Sequence, residues 1–226
     1  MFDIAAHRLA QDGFDVLGGY MSPVNDAYGK AGLASAQHRV NMCQLASADS
    51  PLVMVDGWEA AQPQYQNSLF VLRHVTVRLQ DSLQGDSTPS PAGPPDAASS
   101  REHGLQDELA RTCDPDAPRA MLLCGADLLE SFVKPGVWRD GHVRHILEQH
   151  GVVCVARKGS DAEALLAREG TLLHELRTRV IVVTDPVQND TSSTVVRDEL
   201  AQGRPVRYLT SSSVVEYIQQ HRLYRS

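Results

Sequence analysis

The segment 189–197 (Asn-Asp-Thr-Ser-Ser-Thr-Val-Val-Arg) places hydroxyl side chains before an arginine one helical turn farther on. It follows the apolar run 180–185 and opens a stretch with a helical pattern. The first N–H groups of a helix have no partner within it, and the helix dipole favours an anion beside them. Arg197 follows Ser193 and Thr194 at the spacing of neighbours on a helix surface. The segment therefore either cradles a phosphate or uses Ser192 or Ser193 only to cap a helix.

Two further segments carry residues that suit a nucleotide. In the buried-strand pattern 122–127, Gly125 would let a ligand approach the backbone, and Asp127 would accept a hydrogen bond from a ribose hydroxyl or an exocyclic amine. The alternative for Asp127 is that it caps a helix at 128–132. Trp138 lies on a turn-rich loop, where it either stacks on a heteroaromatic ring or closes the edge of the core.

Lys30 lies on a glycine-flanked loop, where a lysine either follows a polyphosphate as a mobile charge or is simply solvated. The chain contains no GxSxG, Walker A or GxGxxG motif. A phosphate site without an evident nucleophile favours a reaction that depends on alignment and charge stabilisation. Nucleotidyl transfer, with a divalent metal on the phosphates, is such a reaction.

Strand and helix patterns alternate along the chain and would position these residues. Short apolar or β-branched runs predict strands at 16–22, 52–56, 120–125, 151–157 and 180–185. Helical patterns lie at 36–48, 59–80, 142–150, 161–176, 194–202 and 212–221. This alternation indicates an α/β protein with a parallel sheet and helices on both faces. Because such sheets bind ligands beyond the carboxyl ends of their strands, we expect the candidate residues to converge there.

Composition predicts a soluble globular protein with one domain, 1–226, that a flexible surface loop at about 85–118 interrupts. The formal net charge of −7 argues against a nucleic-acid binder, which needs a basic face. The four cysteines form no CxxC pair, so we expect neither a zinc site nor disulfides. No apolar run suits a membrane span and we identify no targeting signal, so we expect an intracellular protein, cytoplasmic or nuclear.

Nine segments, in order along the chain, share their residue types with one family. They are 21–28 (Met-Ser-Pro-Val-Asn-Asp-Ala-Tyr), 38–40 (His-Arg-Val), 55–59 (Val-Asp-Gly-Trp-Glu), 71–74 (Val-Leu-Arg-His), 122–132 (Leu-Leu-Cys-Gly-Ala-Asp-Leu-Leu-Glu-Ser-Phe), 137–138 (Val-Trp), 154–157 (Cys-Val-Ala-Arg), 189–197 and 207–209 (Arg-Tyr-Leu). Together they resemble the eukaryotic nicotinamide/nicotinate mononucleotide adenylyltransferases. The resemblance implies a Rossmann-like nucleotidyltransferase fold and a reaction in which ATP and the mononucleotide give NAD, or its acid form, and pyrophosphate with Mg²⁺. It is also compatible with a homo-oligomer.

The resemblance implies a role for each matching position. Lys30 would contact the ATP phosphates, and the turn formed by Ser192, Ser193 and Thr194 would hold the triphosphate. Arg197 would steady the charge that develops in the transition state. No residue of the chain is implied as a metal ligand.

The remaining implied positions surround the two nucleosides. Gly125 and Asp127 would contact the ribose of ATP, and Trp138 would stack on the pyridine ring with Val137 beside it. The other implied residues of the nucleotide site are Arg157, Asn189, Tyr65 and Ser68. The last two stand where relatives have a second ring-stacking tryptophan and a threonine, and they keep an aromatic face and a hydroxyl.

The family begins with a strand and a Gly-Ser-Phe-Asn-Pro-x-Thr-x-x-His type segment, whose histidine contacts the ATP phosphates. Met1 aligns just after that segment. We therefore expect that the first strand is missing from this chain, that Met1 is an internal methionine, and that catalysis is weak or absent. The alternative function is a non-catalytic NAD- or nucleotide-binding or chaperone-like relative that lacks the histidine loop. A pantetheine-phosphate adenylyltransferase is a third option, which Trp138 and the 122–132 segment disfavour.

Overall fold

The computed structural model describes residues 1–83, 118–157, 160–185, 187 and 191–225. Asn189 and the predicted loop at 85–118, except for its last residue, lie outside the described residues. The strands are β1 (Gly19–Met21), β2 (Val53–Val55), β3 (Leu122–Gly125), β4 (Val152–Ala156) and β5 (Val180–Thr184). Each lies inside one of the five predicted apolar runs, so those predictions are confirmed.

All strand pairs of the described residues are parallel, but they form two sheets where the sequence predicts one. β1 pairs with β2, and β4 lies between β3 and β5. In the described part of the chain, β1 and β3 each have a ladder partner on one side only. The register pairs Gly125 with Val155 and Ala156 with Thr184, so the carboxyl ends of β3, β4 and β5 lie next to each other.

The helices cover both faces of these strands. They are α1 (Phe2–Gln11), α2 (Ala36–Ser47), α3 (Trp58–Ala61), α4 (Ser68–Leu83), α5 (Ala126–Ser131), α6 (Asp140–His145), α7 (Ala162–Ala167), α8 (Leu172–Glu175), α9 (Ser193–Ala201) and α10 (Ser212–Gln220). A π-helical turn, Ile146–His150, continues α6. None of the described helices is long and apolar enough to cross a membrane.

Two predicted helices are each broken in two. The predicted helix 59–80 is interrupted between α3 and α4, because Gln62 before Pro63 adopts an extended conformation, with φ −69° and ψ 148°. The residue before a proline is biased away from helical angles in this way. The predicted helix 161–176 is interrupted between α7 and α8, where Gly170 has a positive φ of 77°. Both breaks are local effects of residues that disfavour a continuous helix.

Strand β4 lies at the centre of the core, and all five of its residues are buried. Val152, Cys154 and Ala156 belong to the larger core cluster, which includes Leu129 and Leu173. Val153 and Val155 point to the other face, where Ala5 of α1 packs on the strands. This alternation confirms an α/β arrangement with helices on both faces of the parallel strands.

Candidate nucleotide-binding site

The N-terminus of α9 combines a capping serine with a positioned arginine. Ser192 is the N-cap, and its Oγ accepts a hydrogen bond from the backbone N–H of Val195 at 3.2 Å. Nη2 of Arg197 donates to Oγ1 of Thr194 at 3.1 Å. The capping interpretation is therefore confirmed for Ser192, while Ser193 is the first residue of the helix. Capping uses only the acceptor capacity of the Ser192 hydroxyl, so its proton and the other guanidinium N–H groups remain donors for an anion.

Gly125 and Asp127 begin the helix that follows β3. Gly125 is the N-cap of α5, and a Cβ built on it would meet no described atom within 4 Å. The protein thus leaves open space beside this backbone position, as close approach of a ligand requires. Asp127 lies in the first turn of α5, so the alternative that it caps a helix at 128–132 is wrong. The helix begins earlier because Gly125 already adopts the extended conformation of a cap, with φ −91° and ψ 170°.

Arg157 lies directly after β4, at the edge where β3 and β5 also end. Its side chain is exposed. The backbone N–H of Asp185 donates to the carbonyl oxygen of Ala156 at 2.9 Å, so the segment after β5 continues beside it. Parallel register alone therefore places Gly125 and Arg157 at one edge of one sheet.

Trp138 closes the edge of the core. Its Nε1 donates to Oγ of Ser131 at 2.9 Å, and its ring lies edge-to-face with Phe132 at a centroid distance of 4.9 Å. It also packs against the larger core cluster, while Val137 is 58% exposed. The core-edge interpretation is thus confirmed, and the half-buried ring remains anchored next to an exposed loop.

Tyr28 and Tyr65 form an aromatic pair beyond the carboxyl ends of β1 and β2. Their ring centroids are 5.7 Å apart and their planes differ by 24°. Both rings are about half exposed, at 51% and 48%. Burial raises the pKa of the Tyr65 hydroxyl, and the charges of Tyr28 and Glu59 act in the same direction. No motif singles out Tyr28 in the sequence; its signal is its place in the segment 21–28.

The other two predicted residues of this region lie close to the pair in sequence. Lys30 is exposed and follows Gly29, which ends the 3₁₀ turn Asp26–Tyr28 with a φ of 66°. Ser68 is the first residue of α4 and is half-buried. The β1–β2 half of the candidate site therefore contains Lys30, Tyr65 and Ser68. The other predicted site residues that the structure describes belong to the β3–β5 half.

Tyr224 has partners outside the C-terminal segment. Burial raises the pKa of its hydroxyl, whereas a hydrogen bond with the backbone of Ala34 and the positive charges of Arg197 and Arg39 lower it. Ala34 belongs to the loop that follows Lys30, and Arg197 belongs to α9. The hydrogen bond with Ala34 therefore joins the Tyr224 side chain to the loop that follows Lys30.

A cavity of about 610 Å³ lies elsewhere, at the amino end of β5. Its lining includes Arg8, Glu163, His174 and Arg177 and contains none of the described predicted site residues. Arg8 is paired with Asp12 at 2.9 Å, and Arg177 donates to the carbonyl oxygen of His174 at 2.9 Å. Both arginines of the cavity thus have local partners. We therefore place the candidate nucleotide site at the strand ends and not in this cavity.

Comparison with known proteins identifies the family to which the chain belongs. The model of the cytidylyltransferase-like family matches residues 1–199. A nicotinamide/nicotinic acid mononucleotide adenylyltransferase of Oryza sativa subsp. japonica is 41% identical over 225 residues, which cover 100% of this chain and 79% of that protein. The chain belongs to this adenylyltransferase family. The namesake proteins of Arabidopsis thaliana and Bos taurus are 40% and 36% identical and are covered over 82% and 83% of their lengths.

Membership in the adenylyltransferase family agrees with the fold that the matching segments predict. The segment 21–28 begins at the last residue of β1 and carries Tyr28, and the segment 122–132 spans β3 and α5 and carries Gly125 and Asp127. No group of three or more His, Cys, Asp or Glu side chains in the described ranges could hold a metal ion by itself.

Proposed function

We propose that this chain transfers the adenylyl group of ATP to nicotinamide mononucleotide or its nicotinate counterpart. An oxygen of the mononucleotide phosphate attacks the α-phosphorus of ATP and forms a new P–O–P linkage. The bond between the α-phosphorus and the oxygen that bridges it to the β-phosphorus breaks, and pyrophosphate leaves. The products are NAD, or its acid form, and pyrophosphate. The observation that carries the proposal is the similarity, over the whole chain, to proteins named for this activity.

The N-terminus of α9 is proposed to hold the triphosphate. The leading N–H groups of the helix and the hydroxyls of Ser192, Ser193 and Thr194 supply donors where the dipole favours negative charge. Arg197 is held in place by Thr194 and adds a charge-assisted donor for the phosphoryl oxygens. Lys30 is proposed to neutralise charge from the opposite loop. These groups catalyse by alignment and charge stabilisation, without a covalent intermediate.

The metal is proposed to be Mg²⁺ that enters with ATP. Mg²⁺ typically uses only one or two protein carboxylates when phosphates complete its coordination shell. The absence of a ligand cluster among the described residues fits an ion held mainly by the nucleotide. When bound, the ion would neutralise phosphate charge; the roles above belong to the chain's own residues.

The nucleoside positions are proposed as follows. Gly125 and Asp127 bind the ATP ribose region from the end of β3, where open space adjoins the glycine. Trp138 stacks on the pyridine ring from its anchored position, beside Val137. Tyr65 is proposed to supply a second aromatic face for the same ring. The further residues proposed to line the nucleotide site are Ser68, Arg157 and Asn189.

An assay of NAD formation, coupled to a dehydrogenase, tests this function on the purified chain. ATP and mononucleotide affinities measured by calorimetry provide a second readout that does not depend on turnover. Arg197→Ala is expected to lower kcat by about 10²-fold, the usual cost of removing one transition-state donor. Arg204→Ala is the matched control, because Arg204 follows the same helix but pairs with Glu199. Failure of the chain to bind either nucleotide, or equal effects of the two variants, would overturn the proposal.

Assembly and location are also proposals. We propose a homo-oligomer, which sedimentation velocity of the purified chain would detect. We propose a cytoplasmic or nuclear location, which imaging of the tagged protein in cells would check.

A further inference from the structure

Asn25 is a buried side chain whose polar atoms all have partners in the described structure. It is 8% exposed and lies in the loop that leads from β1 to Tyr28. Its Nδ2 donates to the carbonyl oxygen of Ala60 at 3.2 Å and to that of Gln62. Ala60 lies near the end of α3, and Gln62 is the residue that follows the helix. Oδ1 of Asn25 accepts from the backbone N–H of Ala27 at 2.7 Å. These three partners are compatible with only one orientation of the amide.

A second link joins the same two segments. Oγ of Ser22, just beyond β1, donates to Oε2 of Glu59 in α3 at 2.7 Å. Glu59 is 8% exposed, and burial raises its pKa, although the bond from Ser22 and the charge of Arg39 partly counteract this. The loop after β1 is therefore attached to α3 at its start through Glu59 and at its middle through Asn25.

The attached segments carry the two tyrosines. Asn25 caps the 3₁₀ turn Asp26–Tyr28, so its Oδ1 sets the position of Tyr28. Its Nδ2 bonds the carbonyls that lead into the segment carrying Tyr65. The two rings lie 5.7 Å apart and are about half exposed. One side chain thus controls both members of the pair.

We propose that Asn25 is a positioning residue for the mononucleotide: it holds the Tyr28–Tyr65 pair in the geometry that receives the pyridine ring. The inference rests on the proposed function, which places Tyr65 at that ring. Asn25 itself is buried beneath the loop and acts through the two rings.

Asn25→Asp is the decisive variant. It keeps the oxygen that accepts from Ala27 and replaces the donor group by an oxygen that faces two carbonyl oxygens. We expect the Kd for the mononucleotide to rise about tenfold, in line with a buried polar group left unsatisfied. The Kd for ATP should rise less than the Kd for the mononucleotide. Asn25 does not attach α9 to this loop, and among the groups proposed to bind ATP only Lys30 lies on it. Ser22→Ala is the second variant and should raise the mononucleotide Kd about threefold, which tests the same attachment where Asn25→Asp does not fold.

Asn41→Asp is the matched control. Nδ2 of Asn41 donates to the hydroxyl of Tyr217 at 2.8 Å and joins α2 to α10, so the substitution removes the same type of donor elsewhere. It should leave the mononucleotide Kd unchanged even if it lowers Tm. In a Tyr65→Ala background, Asn25→Asp should raise the mononucleotide Kd by less than a further twofold or so. Asn25 acts through the Tyr28–Tyr65 pair, which Tyr65→Ala has already removed.

The outcomes separate the two proposals. If the unmodified chain does not bind the mononucleotide, the proposed function fails, and the positioning role fails with it. If the chain binds it and Tyr65→Ala weakens binding, but Asn25→Asp and Ser22→Ala do not, only the positioning role fails. The role of Asn25 would be purely structural if Asn25→Asp weakened ATP and mononucleotide binding equally. The same conclusion would follow if Asn41→Asp raised the mononucleotide Kd as much as Asn25→Asp does.

Discussion

Replacing Ser192 by Asp or by Ala separates its capping role from its proposed phosphate role. Its Oγ accepts from the N–H of Val195 at 3.2 Å, which is the contact of an N-cap. Asp is as good an N-cap as Ser, and its charge is favourable at a helix N-terminus. Asp at this position should therefore preserve the helix, whereas it should repel a triphosphate. Ala should weaken the helix and affect the phosphate much less.

The two effects have different expected sizes. Loss of the cap in Ser192→Ala costs about 1 kcal/mol, which corresponds to a fall in Tm of about 2–4 °C for a chain of this size. In Ser192→Asp, a carboxylate about 4 Å from a phosphate oxygen would cost about 1–4 kcal/mol per charge pair, depending on the effective dielectric constant. The turn is partly exposed, so we take the lower part of this range and expect a rise in the Kd for ATP of about tenfold.

Thermal unfolding without ligand and calorimetric titration with ATP measure the two effects on the same samples. The expected order of Tm is Ser192→Asp equal to or above the unmodified chain, with Ser192→Ala below both. The expected order of ATP affinity places Ser192→Asp last. Thr171, the N-cap of α8, is the matched control, since its Oγ1 accepts from the N–H of His174 at 3.1 Å. If Ser192→Asp binds ATP as tightly as Thr171→Asp does, the turn is only a helix cap and the phosphate proposal is refuted.

Two further predictions concern His150 and Trp138. Burial lowers the pKa of His150 to about 4, although its hydrogen bond to the Ala120 carbonyl opposes the shift. Because the unfolded ring titrates near pH 6.5, its contribution to stability is fully present above that pH, and about 3 kcal/mol is lost as pH falls towards 4. Urea unfolding at pH 7 and 5 should show about 2 kcal/mol of this loss, because at pH 5 the unfolded ring is charged while the folded ring is still mostly neutral. His150→Gln should reduce the difference. Trp138→Ala should weaken mononucleotide binding more than ATP binding. Ser131→Ala removes the acceptor of the Nε1 hydrogen bond, together with the bond from Ser131 to the Leu128 carbonyl oxygen, and keeps the ring; it should lower stability by about 1 kcal/mol without changing either Kd. Equal mononucleotide affinities in the two variants would contradict the stacking role.

Strand positions were predictable because the apolar runs are short and bounded by polar residues. β4 shows this most clearly, since all five of its residues are buried and the side chains alternate between two core clusters. Once the strands are parallel, their carboxyl ends must share an edge, which brings Gly125 and Arg157 to neighbouring positions. Periodicity and topology together therefore predict this half of the site.

Helix breaks and loop contacts were less predictable. The apolar pattern runs through Pro63 and Gly170, so it does not reveal that each interrupts a helix. The partners of Asn25 are backbone carbonyls more than 30 residues away along the chain, at separations of 35 and 37. Any residue type supplies such carbonyls, so no pairing pattern in the sequence indicates the contact. The Tyr28–Tyr65 pair also becomes visible only in the folded chain, because its two members are far apart in the sequence.

Tyr224 is a further residue whose contact becomes visible only in the folded chain. It has a φ of 58°, in the left-handed region, which costs about 1–3 kcal/mol for a residue with a side chain and persists only where surrounding contacts compensate. The hydrogen bond between the Tyr224 hydroxyl and the backbone of Ala34 is one such contact. Ala34 belongs to the loop that follows Lys30, so the strained residue is joined to one element of the proposed phosphate site. The two segments lie far apart in the chain, so no pattern in the sequence indicates this contact.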